Sequence, residues 1–176
     1  SYCNDHYYHN IRIDDAYGSY LATQTASVKK GYAYRSTDKG STWTRISDQL
    51  RQSYCAVWEK GGNLYLLGCD NVSGSLAIQK STDKGASWSA NTVLFDKSET
   101  VDGYHGGSSP FVEKNGRLYR AMGDRAEGWS VILLSASLDS DLENPSSWTM
   151  SNKLYYNPSW LTTAYGSSST RWEEPA

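Results

Sequence analysis

Short apolar or aromatic runs, broken at regular intervals by Gly, Asn and Asp, set the pattern of this chain. Residues 10–15 read as a short inner strand or its mouth, and residues 18–23, 31–35 and 43–46 read as three further strands. Residues 53–58 and 64–67 flank Lys60-Gly61-Gly62-Asn63, a hairpin turn. A strand over 75–80 follows, and another opens at Trp88 and ends near 93–95. The plan then repeats: 109–113, the turn Lys114-Asn115-Gly116, 117–122, 130–135, and a short strand near 148–150. No segment holds a helical period over three turns, so the expected class is all-β, built from four-stranded antiparallel units.

One octapeptide punctuates these units. Ser36-Thr37-Asp38-Lys39-Gly40-Ser41-Thr42-Trp43 returns, nearly letter for letter, as Ser81-Thr82-Asp83-Lys84-Gly85-Ala86-Ser87-Trp88. A full motif recurring at the length of one unit marks a repeat architecture. Its chemistry is that of a turn. Ser and Asp side chains accept from nearby backbone N–H groups. Gly40 and Gly85 are free to take positive φ, and Trp43 and Trp88 offer large apolar anchors, expected to be buried.

The pattern Ser-x-Asp-x-Gly-x-x-Trp resembles the Asp-box of sialidases and other Asp-box β-propellers. There the box joins the third and fourth strands of a blade, away from the active site. Ser36, Asp38, Gly40, Trp43, Ser81, Asp83, Gly85 and Trp88 are the matching positions. A degenerate third copy runs from Ser137-Leu138-Asp139 to Pro145-Ser146-Ser147-Trp148, without its Gly and with stretched spacing. Residues 104–107 and 115–122, and Trp172-Glu173-Glu174-Pro175, are similar to segments of bacterial proteins described as exo-α-sialidases. The resemblance implies a β-propeller with blades over about 10–47, 53–95 and 107–151. A fourth blade would start over 170–176. Three blades and one strand leave bare strand edges. The expectation is a fragment of a six-bladed propeller, completed by a longer chain or by other copies.

Composition narrows the partners. The 176 residues carry a net charge of −2 and no basic run, so a nucleic-acid footprint is absent. No apolar stretch approaches a membrane span. The 14 Tyr and 7 Trp against 2 Phe suit half-wet surfaces and sugar faces, and equally suit strands. Cys55 and Cys69 flank the Gly61-Gly62 turn; a cross-strand disulfide and two buried thiols are both open, with Cys3 left over. His6 and His9 have no third ligand nearby and read as a polar terminal segment. Asn71-Val72-Ser73 is a glycosylation sequon. No metal and no cofactor is expected.

Propeller ligands bind where inner strands converge, so strand starts are the candidates. Asp14, His105, Glu173 and Glu174 are the candidate catalytic residues; Asp15 lies beside the first of them. Arg12, Tyr104, Arg117 and Arg120 are candidates for substrate binding. Arg12-Ile13 is similar to the sialidase Arg-Ile-Pro motif, with Asp14 in place of Pro; there the Arg clamps a sugar carboxylate, a task suited to its planar fork. A surface or inter-blade ion pair is the alternative for Arg12, and a solvated face or pairing with Arg171 for Glu173 and Glu174. A sialidase also needs an Asp acid/base and a Tyr–Glu pair. The loop at 24–27 holds no Asp, and the remaining clamp residues would lie past residue 176. The expected activity is a glycoside hydrolase of secreted or cell-surface location, acting on extracellular glycans. A non-catalytic carbohydrate-binding module and a structural assembly protein are the competing readings.

Overall fold

A computed structural model describes residues 2–4, 31–35, 37–38, 41–50, 52–71, 74–100, 103–106, 109–124 and 130–155. They form three antiparallel sheets. The first contains β1 (Tyr2–Asn4), β2 (Gly31–Arg35) and β3 (Thr44–Leu50), in that spatial order. The second is a four-stranded meander of β4 (Ser53–Lys60), β5 (Asn63–Cys69), β6 (Leu76–Ser81) and β7 (Thr92–Phe95). The third is built on β10 (Arg117–Asp124) and β11 (Ser130–Ser137). Two short strands, β8 (Tyr104–His105) and β9 (Val112–Lys114), share the inner edge of β10; β12 (Trp148–Met150) and β13 (Leu154–Tyr155) share the outer edge of β11. Among the described residues the only helical turns are two of 3₁₀ type, and no helix is long and apolar enough to cross a membrane.

Two sequence expectations change here, and one strand is added. The strand beside β2 is Tyr2–Asn4, whereas the segment 18–23 lies outside the described residues. The expected strand at 109–113 is reduced to β9 at 112–114, and a separate short strand, β8, pairs with the opposite end of β10. Pro110 in the gap has no N–H to give to a ladder. A Cβ on Gly106, also in the gap, would sit 2.8 Å from the Met122 methyl. Trp88 precedes its outer strand instead of opening it, because β7 begins at Thr92.

β5 explains the packing. Its alternate side chains enter two different cores, as strand periodicity requires. Leu66 packs with Ala33, Leu50 and Cys55 against the first sheet. Tyr65, Leu67 and Cys69 pack with Leu118, Met122, Ile132 and Leu134 of the third. Each fully buried Leu or Ile contributes about 1.5–3 kcal/mol of burial free energy.

The hairpin carries a bulge. Ser53 pairs with Cys69 and Ala56 with Leu67, so Tyr54 and Cys55 together oppose Gly68. Tyr54 takes φ 55. A Cβ on Gly68 would lie 2.6 Å from the Ser53 carbonyl oxygen and 2.8 Å from Cys55 Cα, so the close approach needs glycine. The bulge also decides the thiols. Cys55 joins the core toward the first sheet and Cys69 the core toward the third. They are buried thiols on opposite faces with no disulfide between them, and the disulfide alternative is corrected accordingly.

The octapeptides join β2 to β3 and β6 to β7, the third strand to the fourth of the second sheet in the latter case. Asp38 accepts from the Thr42 N–H at 2.8 Å and its hydroxyl at 2.6 Å. Asp83 accepts from Ser87 in the same way, at 2.8 and 2.6 Å. Ser81 Oγ accepts the Gly85 N–H at 2.8 Å; Ser36 and Gly40 lie outside the described residues. The indoles differ. Trp88 is half-buried against the core shared with Ile46, whereas Trp43 is 42 % exposed, contrary to expectation. Trp88 rests where the first sheet supplies Ile46. No sheet precedes that one among the described residues. The degenerate third copy is a longer loop between β11 and β12. Its Trp148 is buried and donates its indole N–H to Leu142 O at 2.9 Å, much as Trp88 donates to Gly85 O at 3.0 Å.

Candidate functional site

The sheets have two chemically distinct ends. Hairpin Gly61-Gly62, hairpin Asn115-Gly116 and the turn after Ser81 lie at one end, since Leu64 pairs with Ser81 and Arg117 with Ser137. At the other end Ser53 pairs with Cys69, and Asp124 pairs with both Tyr104 and Ser130. Two contacts join the second and third sheets there. The Cys69 thiol donates to Tyr104 O at 3.4 Å, and the Tyr104 N–H donates to Gly74 O at 3.0 Å.

This second end is unusually polar for buried ground. Asp124 is 0 % exposed and forms an ion pair with Lys153, itself partly open to solvent. A carboxylate in such a place is stable only when paired. The hydroxyls of Ser53 and Ser130 are buried, with no hydrogen-bond partner among the described residues. Nearby, the imidazole of His105 lies against the ring of Tyr54, centroids 4.0 Å apart and planes tilted by 50°. Asp70 closes the adjoining β5–β6 turn by accepting the Ser75 N–H at 2.8 Å. A carboxylate, an ammonium, an imidazole and two hydroxyls with unspent capacity are groups that hydrogen-bond polyols.

Of the residues chosen from sequence, Tyr104 and His105 sit at this end, on one short strand. Tyr104 is fully buried in the core rather than presented to solvent. Arg117 and Arg120 do not come together. They stand on opposite faces of β10, as an odd spacing along a strand demands. Arg117 reaches the outer face, donating to Ser135 Oγ at 2.8 Å and Thr149 Oγ1 at 3.4 Å. Arg120 is 1 % exposed and donates across the sheet boundary to the carbonyls of Leu67 and Tyr54. Its guanidinium also stands 5.3 Å from the Phe111 ring centroid. Arg12, Asp14, Asp15, Glu173 and Glu174, with His6 and His9, lie outside the described residues. Among the described residues no three His, Cys, Asp or Glu side chains gather as a metal site.

Sequence reasoning missed Asp124, Lys153 and Tyr54. Asp124 carried a legible signal: it ends an eight-residue strand with buried side chains at alternate positions, where a carboxylate is out of place. Lys153 and Tyr54 carried none, because an ion pair 29 positions long and a bulge are products of register.

The fold class these observations define is all-β, with antiparallel sheets packed face to face, consistent with a β-propeller-like architecture. By sequence the chain matches no protein family and no curated protein. By structure it is similar to the crystal structure of an α-L-arabinofuranosidase from Lactobacillus brevis, with a TM-score of 0.56 at 17% identity. The similarity covers 73% of this chain and 46% of that one, so the chain spans about half the length of its structural neighbour. At that identity the likeness speaks for the fold.

Proposed function

We propose that this chain is part of a glycan-active, sialidase-like propeller, most simply a glycoside hydrolase acting on extracellular glycans. The observation that carries the reading is the buried polar end: Asp124 paired with Lys153, and His105 held against Tyr54, at the sheet ends opposite the Asp-box turns. The fold likeness to a glycoside hydrolase supports it. Hydrolysis of a glycosidic bond ordinarily takes two carboxylates flanking it. Asp124 is one buried candidate, and Asp14, Glu173 and Glu174 are the candidates for the second. Arg12 remains the proposed contact to an acidic sugar. The remaining blades of a six-bladed ring would come from a longer chain or from other copies. A secreted or cell-surface location goes with the substrate.

The competing reading is a non-catalytic carbohydrate-binding module. It is favoured by the Asp124–Lys153 pair itself, since a carboxylate already paired with an ammonium is engaged by the protein rather than held ready to act on a glycosidic bond. A panel of fluorogenic glycosides and a glycan array on the full-length protein separate the two. Turnover lost in Asp124→Asn or Glu173→Gln supports hydrolysis. Binding without turnover in the unmodified protein selects the module.

A further inference from the structure

We propose that Arg120 is a positioning residue that fixes the place of His105 by holding the Tyr54 carbonyl across the boundary between the second and third sheets. The proposal rests on the reading of the polar end as the glycan site. Arg120 belongs to β10, on the face turned toward the second sheet, and is buried. Its two terminal nitrogens are spread over two strands: Nη1 donates to Leu67 O on β5 and Nη2 to Tyr54 O on β4. A planar fork can span two carbonyls at fixed separation, which a lysine ammonium cannot do with the same directionality. The ring of Phe111 lies beside the guanidinium, 5.3 Å from centroid to Cζ, and limits its swing.

The carbonyl it holds is the one that matters to His105. Tyr54 is in the left-handed region at φ 55, which a bulky residue adopts only under constraint. Two constraints are visible. Gly68 permits the close approach of the bulge, and Arg120 ties the bulged carbonyl to the neighbouring sheet. The bulge turns the Tyr54 side chain into the inter-sheet core, where its ring meets the imidazole at 4.0 Å. Bulges re-aim side chains in this manner. Arg120 thus acts on His105 through backbone and ring, and its donors are directed at protein carbonyls instead of a sugar carboxylate.

The test is made on the intact chain by NMR. Arg120→Met keeps most of the stem and removes the fork. In the wild type the Tyr54 ring current should displace the His105 Hε1 signal, with a cross-peak between the two rings. In Arg120→Met the signal should return toward its free-histidine position and the cross-peak should vanish, while amide signals of β6 and β7 stay in place. Arg120→Lys should restore part of the displacement. Turnover or glycan affinity should fall on the order of 100-fold in Arg120→Met, the scale of a misplaced reacting group. A folded Arg120→Met that keeps both the shift and the cross-peak overturns the proposal. If Arg120→Met does not fold, Arg120→Lys takes its place, since it keeps the charge and loses the fork. A partial return of the His105 signal toward its free-histidine position then supports the proposal, and an unmoved one overturns it. The glycan reading fails separately: wild-type protein without binding or turnover, but with His105 displaced by Arg120→Met, retains the positioning role and loses the substrate.

Discussion

The two octapeptides differ at only two of eight positions, Ser41 against Ala86 and Thr42 against Ser87, yet their indoles live in different surroundings. Their Asp caps are the same to within the distances given, 2.8 Å to the backbone and 2.6 Å to the hydroxyl in both. Trp88 is half-buried beside Ile46, and Trp43 is 42 % exposed. The motif therefore encodes a turn, and the preceding sheet supplies the burial. A Trp contributes to stability only as much as its neighbours remove it from water.

The largest expected effect separates the pair. Trp88→Ala should destabilise the chain by about 2–3 kcal/mol, below the range of a fully buried Trp. Trp43→Ala should cost roughly 1 kcal/mol or less, as an exposed substitution does. Urea unfolding of both variants checks the difference. Equal losses would mean that the indole acts within its own turn, and the dependence on the preceding sheet would be wrong.

Next in size is the glycine. Gly85 has φ 90, and a Cβ there would stand 2.9 Å from Ile46 Cδ1. The methyl of Ile46 can give way, but the backbone cannot, so Gly85→Ala should cost about 1–2 kcal/mol from left-handed strain. Gly85→Ala combined with Ile46→Val sharpens the comparison. If the smaller side chain recovers the loss, the cost was steric crowding between sheets; if it recovers nothing, it was backbone conformation.

These local features are what the sequence made legible. Asp, Ser and Gly at fixed offsets close a turn whatever surrounds it, so both boxes and the strand alternation could be read directly. The hairpin turns at Gly61-Gly62 and Asn115-Gly116 were legible for the same reason. The candidate site was legible only in part. His105 and Tyr104 could be placed at a strand start, but the pairing of Asp124 with Lys153 needs the register of four strands. Arg120 was read as a ligand for substrate because a strand-borne Arg near an inner strand looks the same either way. Its burial against Leu67 and Tyr54 depends on which face of β10 meets the second sheet. The bulge at Tyr54, which decides both the thiols and the His105 contact, leaves no trace in periodicity except Gly68.

The Asp caps should behave alike where the indoles do not. Asp38→Ala and Asp83→Ala should each lower the urea unfolding midpoint, and by the same amount, as loss of a side-chain cap does, without changing any glycan activity. A loss at one position alone would break the equivalence of the turns.

The smallest effect is a dependence on acid. Asp83 is solvent-facing, and its carboxyl is lowered from 3.8 to about 2, first by the Ser87 hydroxyl, then by the Ser87 N–H and the Ser81 hydroxyl. All three donate to the ionised form, which they favour over the protonated one. A carboxyl with a depressed folded value stabilises the fold above its unfolded value and loses that contribution as pH falls. For Asp83 the contribution is complete above about pH 4 and fades toward pH 2. Carbon-detected NMR titration of the Asp83 carboxyl should therefore give a midpoint well below that of a free aspartate. In Ser87→Ala, which removes the first cause, the midpoint should rise, and the difference in acid stability between wild type and Asp83→Asn should shrink. A titration of Asp83 unchanged by Ser87→Ala would show that the turn's backbone, and not the hydroxyl that the octapeptide carries before its Trp, holds the charge.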